Sequence, residues 1–227
     1  MSLLKVVKAS SLMVMLAGTI ACSPSAEETV KETAVSFQSG KDYEVVRQTP
    51  SKSPQIIEHF SLYCGHCYST EPLIKSLKRS LAKDVQFKRS HVIFLPQQRP
   101  DWGKAMTFGV AAAQKLGVEE AFVATVFDSH FVQEKYLGDY AQLRDVFVTL
   151  GVDAQTFKDT MNNETTVDAV RAMVNKATDD KVRFTPDLIV NDKYRVLLSN
   201  VPKSAKENEI TIEEQLDKLV AFLLTNP

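Results

Sequence analysis

Residues 54–84, PQIIEHFSLYCGHCYSTEPLIKSLKRSLAKD, combine an apolar run, two closely spaced cysteines and a helical pattern. The part before the first cysteine is rich in Ile, Phe and Tyr, which predicts a buried β-strand. The part after the second cysteine carries Leu73, Leu77 and Leu81 at helical spacing, which predicts an α-helix. The motif Cys-Gly-His-Cys, residues 64–67, therefore lies where a strand passes into a helix.

This position predicts a nucleophilic thiol at Cys64. Unpaired backbone N–H groups and the helix dipole at a helix N-terminus favour negative charge, and they lower the pKa of a thiol placed there. Cys67 follows one turn later, is expected to be more buried, and would act as the resolving thiol. His66 lies between the two cysteines and can stabilise the Cys64 thiolate by charge or by hydrogen bonding. The motif is thus interpreted as a redox pair.

A structural disulfide or a metal site explains the two cysteines less well. A disulfide across two residues closes a very short loop and constrains the unfolded chain little. A structural zinc site normally needs four protein ligands, and the sequence has no second Cys-x-x-Cys and no His-x-x-x-His pair. We therefore expect no metal and no cofactor. The histidines outside the motif are interpreted as structural, namely His59, His91 and His130.

Glu58 is the acidic residue that stands out in the predicted strand. It shares an alternating face with Ile56 and Phe60, so we expect a carboxyl group that is at least partly buried, with its pKa raised by desolvation. Such a group could relay a proton to or from Cys67. The alternative is a strand end with Glu58 in water. Glu71, one turn after the motif, is expected on a solvated helix face, and electrostatic tuning of the site is the alternative interpretation.

The first residues of the chain, 1–21, have the layout of a secretory signal peptide, since two lysines precede an uncharged stretch and then small residues. The uncharged stretch is shorter than the roughly 20 residues of a membrane-spanning helix. Its end, GTIAC, resembles the lipobox of bacterial lipoproteins, which implies a lipidated Cys22. Ordinary cleavage or an uncleaved anchor are the alternatives. Residues 22–41 would form a lipidated, flexible tether that anchors a periplasmic protein to a membrane.

The part of the chain that follows this signal has the composition of an exported, soluble protein. The 227 residues are 44% hydrophobic and 24% charged, which allows a sizeable core. The formal net charge of −1 and the absence of a Lys/Arg block give no reason to expect nucleic-acid binding. If Cys22 carries lipid, only Cys64 and Cys67 remain as thiols in an oxidising compartment, where thiols are expected to pair.

Residues 100–181 are predicted to be helical throughout. Apolar residues recur there at three- and four-residue steps, with Gly117 and Gly151 as helix stops. The large apolar side chains of this region are expected in the core: Met106, Phe108, Phe122, Phe127, Phe131 and Phe147. The final stretch, residues 212–227, is predicted to form a closing helix packed on the sheet.

Between these helices the sequence predicts a β-hairpin. The strands span residues 187–190 and 194–198 and are joined by Asn-Asp-Lys. Pro186 begins the first strand, a position where its missing N–H is tolerated. The sequence does not itself tell whether the Thr185–Pro186 bond is cis.

Taken together, these motifs resemble the DsbA family of thiol oxidases. The resemblance runs from about residue 40 to residue 201, and its anchors are IIEHFSLYCGHCYSTEP, RSHVIF, LGVEEAF, DYAQLRDVFVTLGV and FTPDLIVNDKY. It implies an α/β, thioredoxin-like fold formed by residues 42–99 and 182–227, with an inserted all-helical domain at 100–181.

The resemblance also implies roles for site residues. Thr185–Pro186 would be a cis-proline turn facing the disulfide, where the Thr185 backbone pairs with an extended substrate chain. Glu58 would be the acid near the buried sulfur, and His66 would stabilise Cys64.

The function implied is the introduction of disulfides into reduced or unfolded exported proteins by a periplasmic monomer. A DsbB-like membrane quinone reductase would reoxidise it. The dipeptide between the cysteines is Gly-His rather than the Pro-His of the family, so a weaker oxidant is expected. A disulfide isomerase or reductase of the same fold is an alternative. A module with the same thioredoxin-like fold that binds metal or acts as a chaperone is the alternative from a different functional class.

Overall fold

A five-stranded mixed sheet forms the centre of the fold in the computed structural model, which describes residues 35–226. Its strands, given in chain order, are β1 (Tyr43–Val45), β2 (Gln55–Phe60), β3 (Gln86–His91), β4 (Asp187–Val190) and β5 (Tyr194–Val196). They are arranged in the order β1-β5-β4-β2-β3. The β2–β3 pair is parallel, and the other neighbouring pairs are antiparallel. The predicted α/β class is confirmed.

Helices cover the sheet and fill the region between β3 and β4. They are α1 (Gly65–Ser80), α2 (Pro100–Lys115), α3 (Glu119–Phe131), α4 (Tyr140–Thr149), α5 (Ala154–Met161), α6 (Glu164–Asp179), α7 (Val201–Glu207) and α8 (Ile212–Thr225). Helix α1 is the crossover between the parallel strands β2 and β3. Helices α2 to α6 lie within the stretch for which the sequence predicts a helical insertion. The second strand of the hairpin ends at Val196, two residues before its predicted end, because Leu198 begins a short 3₁₀ turn.

The helix stops predicted at Gly117 and Gly151 are confirmed. Each glycine follows the last turn of its helix, α2 or α4, with φ of +71° and +84° respectively. Glycine adopts this left-handed conformation without the steric cost that a Cβ atom brings. Each helix therefore ends where a glycine lets the backbone turn away from the helix axis.

Two hydrophobic cores meet along β2. Ile56 belongs to the core beneath α1 and α8, and Phe60 belongs to the core of the helices inserted after β3. Of the large side chains predicted in the inserted helices, Phe108 and Phe131 are half-buried at the edge of that core, and the other four are buried. The predicted closing helix is α8, whose Leu216, Leu219, Val220 and Leu223 are buried against the sheet.

The N-terminal part of the described chain packs on the body. The predicted signal peptide, Cys22 and most of the predicted tether lie outside the described residues. Within the remainder of that tether, the ring of Phe37 lies 5.4 Å from that of Phe222, measured between centroids. The backbone N–H of Gln38 donates to Asp42 at 2.9 Å. This end of the predicted flexible segment is therefore ordered, because its single aromatic residue is anchored on α8.

Every helix within residues 35–226 is too short or too polar to span a lipid bilayer.

Candidate active site

Cys64 is the N-cap residue of α1, with an extended backbone, at the predicted junction of strand and helix. Its Sγ accepts a hydrogen bond from the backbone N–H of Cys67 at 3.4 Å. Cys64 is half-buried and Cys67 is only 1% exposed, and both are free thiols. One sulfur is thus accessible to a reaction partner while the other lies beneath it.

The pKa values of the two thiols move in opposite directions. Hydrogen bonding to the Cys67 side chain lowers the pKa of Cys64 to about 5, against the opposing effect of partial burial and with additional hydrogen bonding from Thr185 and the helix N-terminus. Burial, together with the neighbouring Cys64, raises the pKa of Cys67 far above its ordinary value. At neutral pH the negative charge therefore resides on Cys64.

The loop before β4 faces Cys64. The Thr185–Pro186 peptide bond is cis. When it carries its proton, the Cys64 thiol donates to the Thr185 carbonyl oxygen, which lies 3.3 Å from the sulfur. Two segments that are distant in sequence, the Cys-Gly-His-Cys motif and the threonine–proline turn, therefore lie side by side, in the arrangement that the family resemblance implies.

His66 contributes to the site through its backbone. Its N–H group helps to lower the pKa of Cys64. Its side chain is exposed, and among the described residues the imidazole makes no hydrogen bond. A charge effect of the imidazole on Cys64 stays a prediction.

Glu58 is buried, as predicted, and its direct partner is Arg89. The two residues lie opposite each other in the parallel β2–β3 pair, and the Arg89 Nε donates to Glu58 at 2.8 Å. Burial raises the pKa of Glu58 to about 7, although the Arg89 charge opposes this. The alternating face on which this prediction rests does not explain the burial, because both faces of β2 are buried from Ile56 to Phe60.

Glu71 corrects one prediction from the sequence. It was expected on a solvated helix face, but only 7% of it is exposed, and Arg89 Nη2 donates to its carboxylate at 2.6 Å. Arg89 was missed entirely. The signal available was its position in the family anchor RSHVIF, because an arginine buried so close to the apolar Val-Ile-Phe run has to be paired. Glu58, Arg89 and Glu71 form a buried charged triad that joins β2, β3 and α1.

Two buried histidines hold the segment that leads to Cys64. The N–H of Leu62 donates to His91 Nε2 at 3.1 Å, and His130 Nδ1 donates to the Leu62 carbonyl at 2.8 Å. The predicted strand over residues 54–63 ends earlier, at Phe60, because side chains replace a neighbouring strand as partners of Leu62. These contacts fit the structural interpretation of both histidines.

Each of these histidines is neutral in this arrangement. His91 Nε2 accepts a hydrogen bond from Leu62, so Nδ1 carries the proton and donates to Thr107 Oγ1 at 2.8 Å. His130 Nε2 likewise accepts from the Leu137 N–H at 2.9 Å. Burial lowers the pKa of His91 to about 3, and it also lowers the pKa of His130.

We expect the fold to lose stability in mild acid because His91 must stay neutral. Its folded pKa is about 3, below the ordinary value of about 6.5, so the unfolded chain binds the extra proton first. Its contribution is complete above about pH 6.5 and is lost as the pH falls, by about 2 kcal/mol between pH 7 and pH 5. Urea unfolding of wild type and His91→Gln at both pH values checks this. The glutamine variant should show the smaller pH dependence, and equal slopes would contradict the assignment.

Metal ligands do not gather in the part of the chain that the structure describes. Within residues 35–226 no group of three or more His, Cys, Asp or Glu side chains is placed to hold an ion.

Comparison with known proteins finds one family model and several named relatives that match this chain. The family model described as DSBA-like thioredoxin domain matches residues 55–208. The thiol:disulfide interchange protein DsbA of Haemophilus influenzae is 35% identical over 171 residues, which cover 74% of this chain and 80% of that protein. DsbA of Yersinia pestis is 30% identical over 197 residues, which cover 85% of this chain and 91% of that protein.

Solved structures show the same likeness. DsbA from Klebsiella pneumoniae superposes with a TM-score of 0.74 at 26% identity, covering 84% of this chain and 98% of that one. DsbA from Proteus mirabilis, solved with the non-covalently bound peptide PWATCDS, gives a TM-score of 0.73 at 26% identity, with coverage of 84% and 99%. The predicted thioredoxin-like fold is therefore confirmed.

Proposed function

This chain belongs to the family of DSBA-like thioredoxin domains and is a thiol:disulfide oxidoreductase, and we propose that Cys64 and Cys67 are the thiol pair with which it introduces disulfides into exported proteins. The observation that carries the proposal is the asymmetry of the two sulfurs. Cys64 is partly accessible, with its pKa lowered to about 5, and Cys67 is buried with its pKa raised. A stabilised Cys64 thiolate favours the reduced enzyme, which makes the disulfide form an oxidant.

The reaction proceeds by thiol–disulfide exchange. A substrate thiolate attacks Sγ of Cys64 in the disulfide form, the bond to Cys67 breaks, and a mixed disulfide forms between substrate and Cys64. A second substrate thiolate then attacks the substrate sulfur of that bond and releases the Cys64 thiolate. Because the pKa of Cys64 is about 5, this thiolate is a good leaving group. The substrate loses two electrons and gains a disulfide, and the enzyme becomes a dithiol.

Cys67 needs a proton when it leaves as a thiolate in a buried site. Glu58 is the proposed proton relay, with a pKa of about 7 that allows it to give or take a proton near neutral pH. Arg89 pairs with Glu58 and thereby limits the rise of its pKa. His66 is proposed to add stabilisation to the Cys64 thiolate.

The proposed substrates are reduced or unfolded exported proteins that pair in extended form with the backbone of Thr185, next to Pro186. The contact of the Thr185 carbonyl with Cys64 supports this placement, since a chain paired there has its thiol close to the reacting sulfur. A peptide bound to the Proteus mirabilis relative supports the same substrate class. We further propose a periplasmic monomer anchored through lipidated Cys22 and reoxidised by a DsbB-like membrane quinone reductase.

The reduction potential of the Cys64–Cys67 pair tests the proposal. We expect a value less negative than roughly −200 mV when the purified protein is equilibrated in graded glutathione buffers and its free thiols are counted by mass. Such a value supports a dithiol oxidase, with an isomerase as the alternative. A value below roughly −250 mV would indicate a reductase. Failure to form the disulfide would overturn exchange chemistry in favour of a metal-binding or chaperone module.

A further inference from the structure

A buried ionic cluster lies behind the loop that carries Thr185. This loop, residues 181–186, runs from Asp180 at the end of α6 to Asp187 at the start of β4. The side chains of both aspartates are 0% exposed. Because a buried carboxylate is costly unless it is paired, the residues that pair with these two also determine where the loop begins and ends.

Arg195 on β5 contacts both ends of the loop. Its Nε donates to the two carboxylate oxygens of Asp187 at 3.0 and 3.1 Å, and its Nη2 donates to the backbone carbonyl of Asp180. The strand register explains this reach. Arg195 lies opposite Ile189, which is two residues after Asp187 and on the same face of β4. One guanidinium group thus joins the two ends of the loop.

The same cluster reaches the strand that leads to Cys64. The Asp180 carboxylate accepts hydrogen bonds from His59 Nε2 on β2 at 2.7 Å, from Lys176 at 2.7 Å and from Arg47 at 2.5 Å. Burial opposes ionisation, but these hydrogen bonds hold the pKa of Asp180 below its ordinary value. Asp180 is therefore ionised, and His59 Nε2 is the donor. The cluster ties together the two segments that form the site, one leading to Cys64 and the other to Thr185.

Backbone hydrogen bonds from Lys181 and Val182 to the last turn of α6 hold the start of the loop, whereas Arg183 and Phe184 make no such bond within the described chain. The side chains of Lys181, Arg183 and Phe184 are exposed, Phe184 by 54%. Segments with few buried contacts move easily unless their ends are fixed. The position of the Thr185 carbonyl, 3.3 Å from the Cys64 sulfur, thus depends on the ends of the loop.

We propose that Arg195 is a positioning residue for thiol–disulfide exchange, which fixes the loop 181–186 and so places Thr185 against Cys64 and against the substrate backbone. The inference rests on the proposed function of the Cys64–Cys67 pair. Arg195 touches neither sulfur, so its effect passes through the loop. Arginine suits this task because its planar fork can bind a carboxylate and a carbonyl at once, whereas the single ammonium group of lysine cannot match that geometry.

The test compares Arg195→Met, Arg195→Lys and the matched control Arg171→Met, which removes an exposed arginine from α6. In each protein we measure the pKa of Cys64 from thiolate absorbance, kcat and KM for oxidation of a reduced peptide with two cysteines, and stability in urea. Arg195→Met should lower kcat/KM by roughly tenfold or more, mainly through KM, because remote misplacement of a site by about 1 Å has effects of that size or larger. It should also raise the pKa of Cys64, since the Thr185 side chain, which the same loop holds beside the sulfur, helps to lower that pKa. In kcat/KM and in the pKa of Cys64, Arg195→Lys should lie between wild type and Arg195→Met, and Arg171→Met should match wild type.

A second variant separates positioning from stability. Arg195→Met leaves Asp187 buried without its cation, and adding Asp187→Asn removes that charge. The double variant should regain stability in urea while kcat/KM stays low and the pKa of Cys64 stays high. If kcat/KM and the pKa of Cys64 both match wild type in Arg195→Met, or in the double variant, the positioning role is overturned. If wild type itself oxidises no peptide, the proposed function fails, and the pKa of Cys64 still reports whether Arg195 places Thr185.

Discussion

Cys67→Ser is expected to stop catalytic turnover and to accumulate a mixed disulfide on Cys64, whereas Cys64→Ser should lose both turnover and adduct. The loss of turnover should be on the order of a thousandfold or more in each variant, since exchange needs both sulfurs. In Cys67→Ser the accessible Cys64 thiolate still attacks a disulfide, but no resolving thiol follows. In Cys64→Ser the remaining sulfur is 1% exposed and its pKa is raised, so it is a poor nucleophile.

The measurement is the mass of the intact reduced protein after incubation with oxidised glutathione at pH 7. All proteins carry Cys22→Ser, so that the third cysteine of the chain does not react. Ser69→Ala, an exposed change on the same helix, is the control and should behave as wild type. A stable adduct on Cys64→Ser, or none on Cys67→Ser, would reverse the assignment of the two thiols.

Arg89→Met is expected to cost about 3–5 kcal/mol of unfolding free energy at pH 7, the range found when one partner of a buried ion pair is removed. Arg89 is 3% exposed and is the cation shared by Glu58 and Glu71, so its loss leaves Glu58 buried without its paired cation and leaves Glu71 with only Lys75, at 3.5 Å. Urea unfolding at equilibrium measures the change. Arg79→Met, which removes an exposed arginine from α1, should stay within about 0.5 kcal/mol of wild type.

The pH dependence of that loss identifies its cause. Without Arg89 the folded pKa of Glu58 rises further above its unfolded value, so the folded variant takes up the proton first as the pH falls. The destabilisation should therefore be smaller at pH 5 than at pH 7. Adding Glu58→Gln should recover part of the stability at pH 7. A loss below about 1 kcal/mol, or one that does not change with pH, would mean that the two carboxylates are already solvated or protonated in wild type.

The triad also sets a condition on the proposed proton relay. Arg89 binds Glu58 directly and Glu71 from the other side, so the charge of Glu58 depends on a cation that α1 and β3 bury together. A relay through Glu58 thus requires that Arg89 stay in place while the proton moves. The Arg89 and Glu58 variants consequently belong in the exchange assay as well as in the urea experiment.

The sequence alone determined the parts of this protein that depend on neighbours along the chain. A β-rich run followed by leucines at helical spacing placed Cys64 at the start of α1, and Gly117 and Gly151 marked helix ends. Such features follow from local backbone chemistry and from the period of the apolar residues, both of which can be read in a short window. The family resemblance added the threonine–proline turn facing the thiols, which local patterns leave open.

Which charged residues meet depends on contacts between segments that are far apart in the chain. Glu71 has the spacing of a solvated helix position, and it is buried because Arg89 of β3 reaches it beneath α1. Arg195 likewise joins Asp180 and Asp187 because β5 lies beside β4 in a register that no local pattern specifies. Periodicity tells which face of an element is apolar, but the partner of a buried charge is fixed by strand pairing and helix packing between segments far apart in the chain.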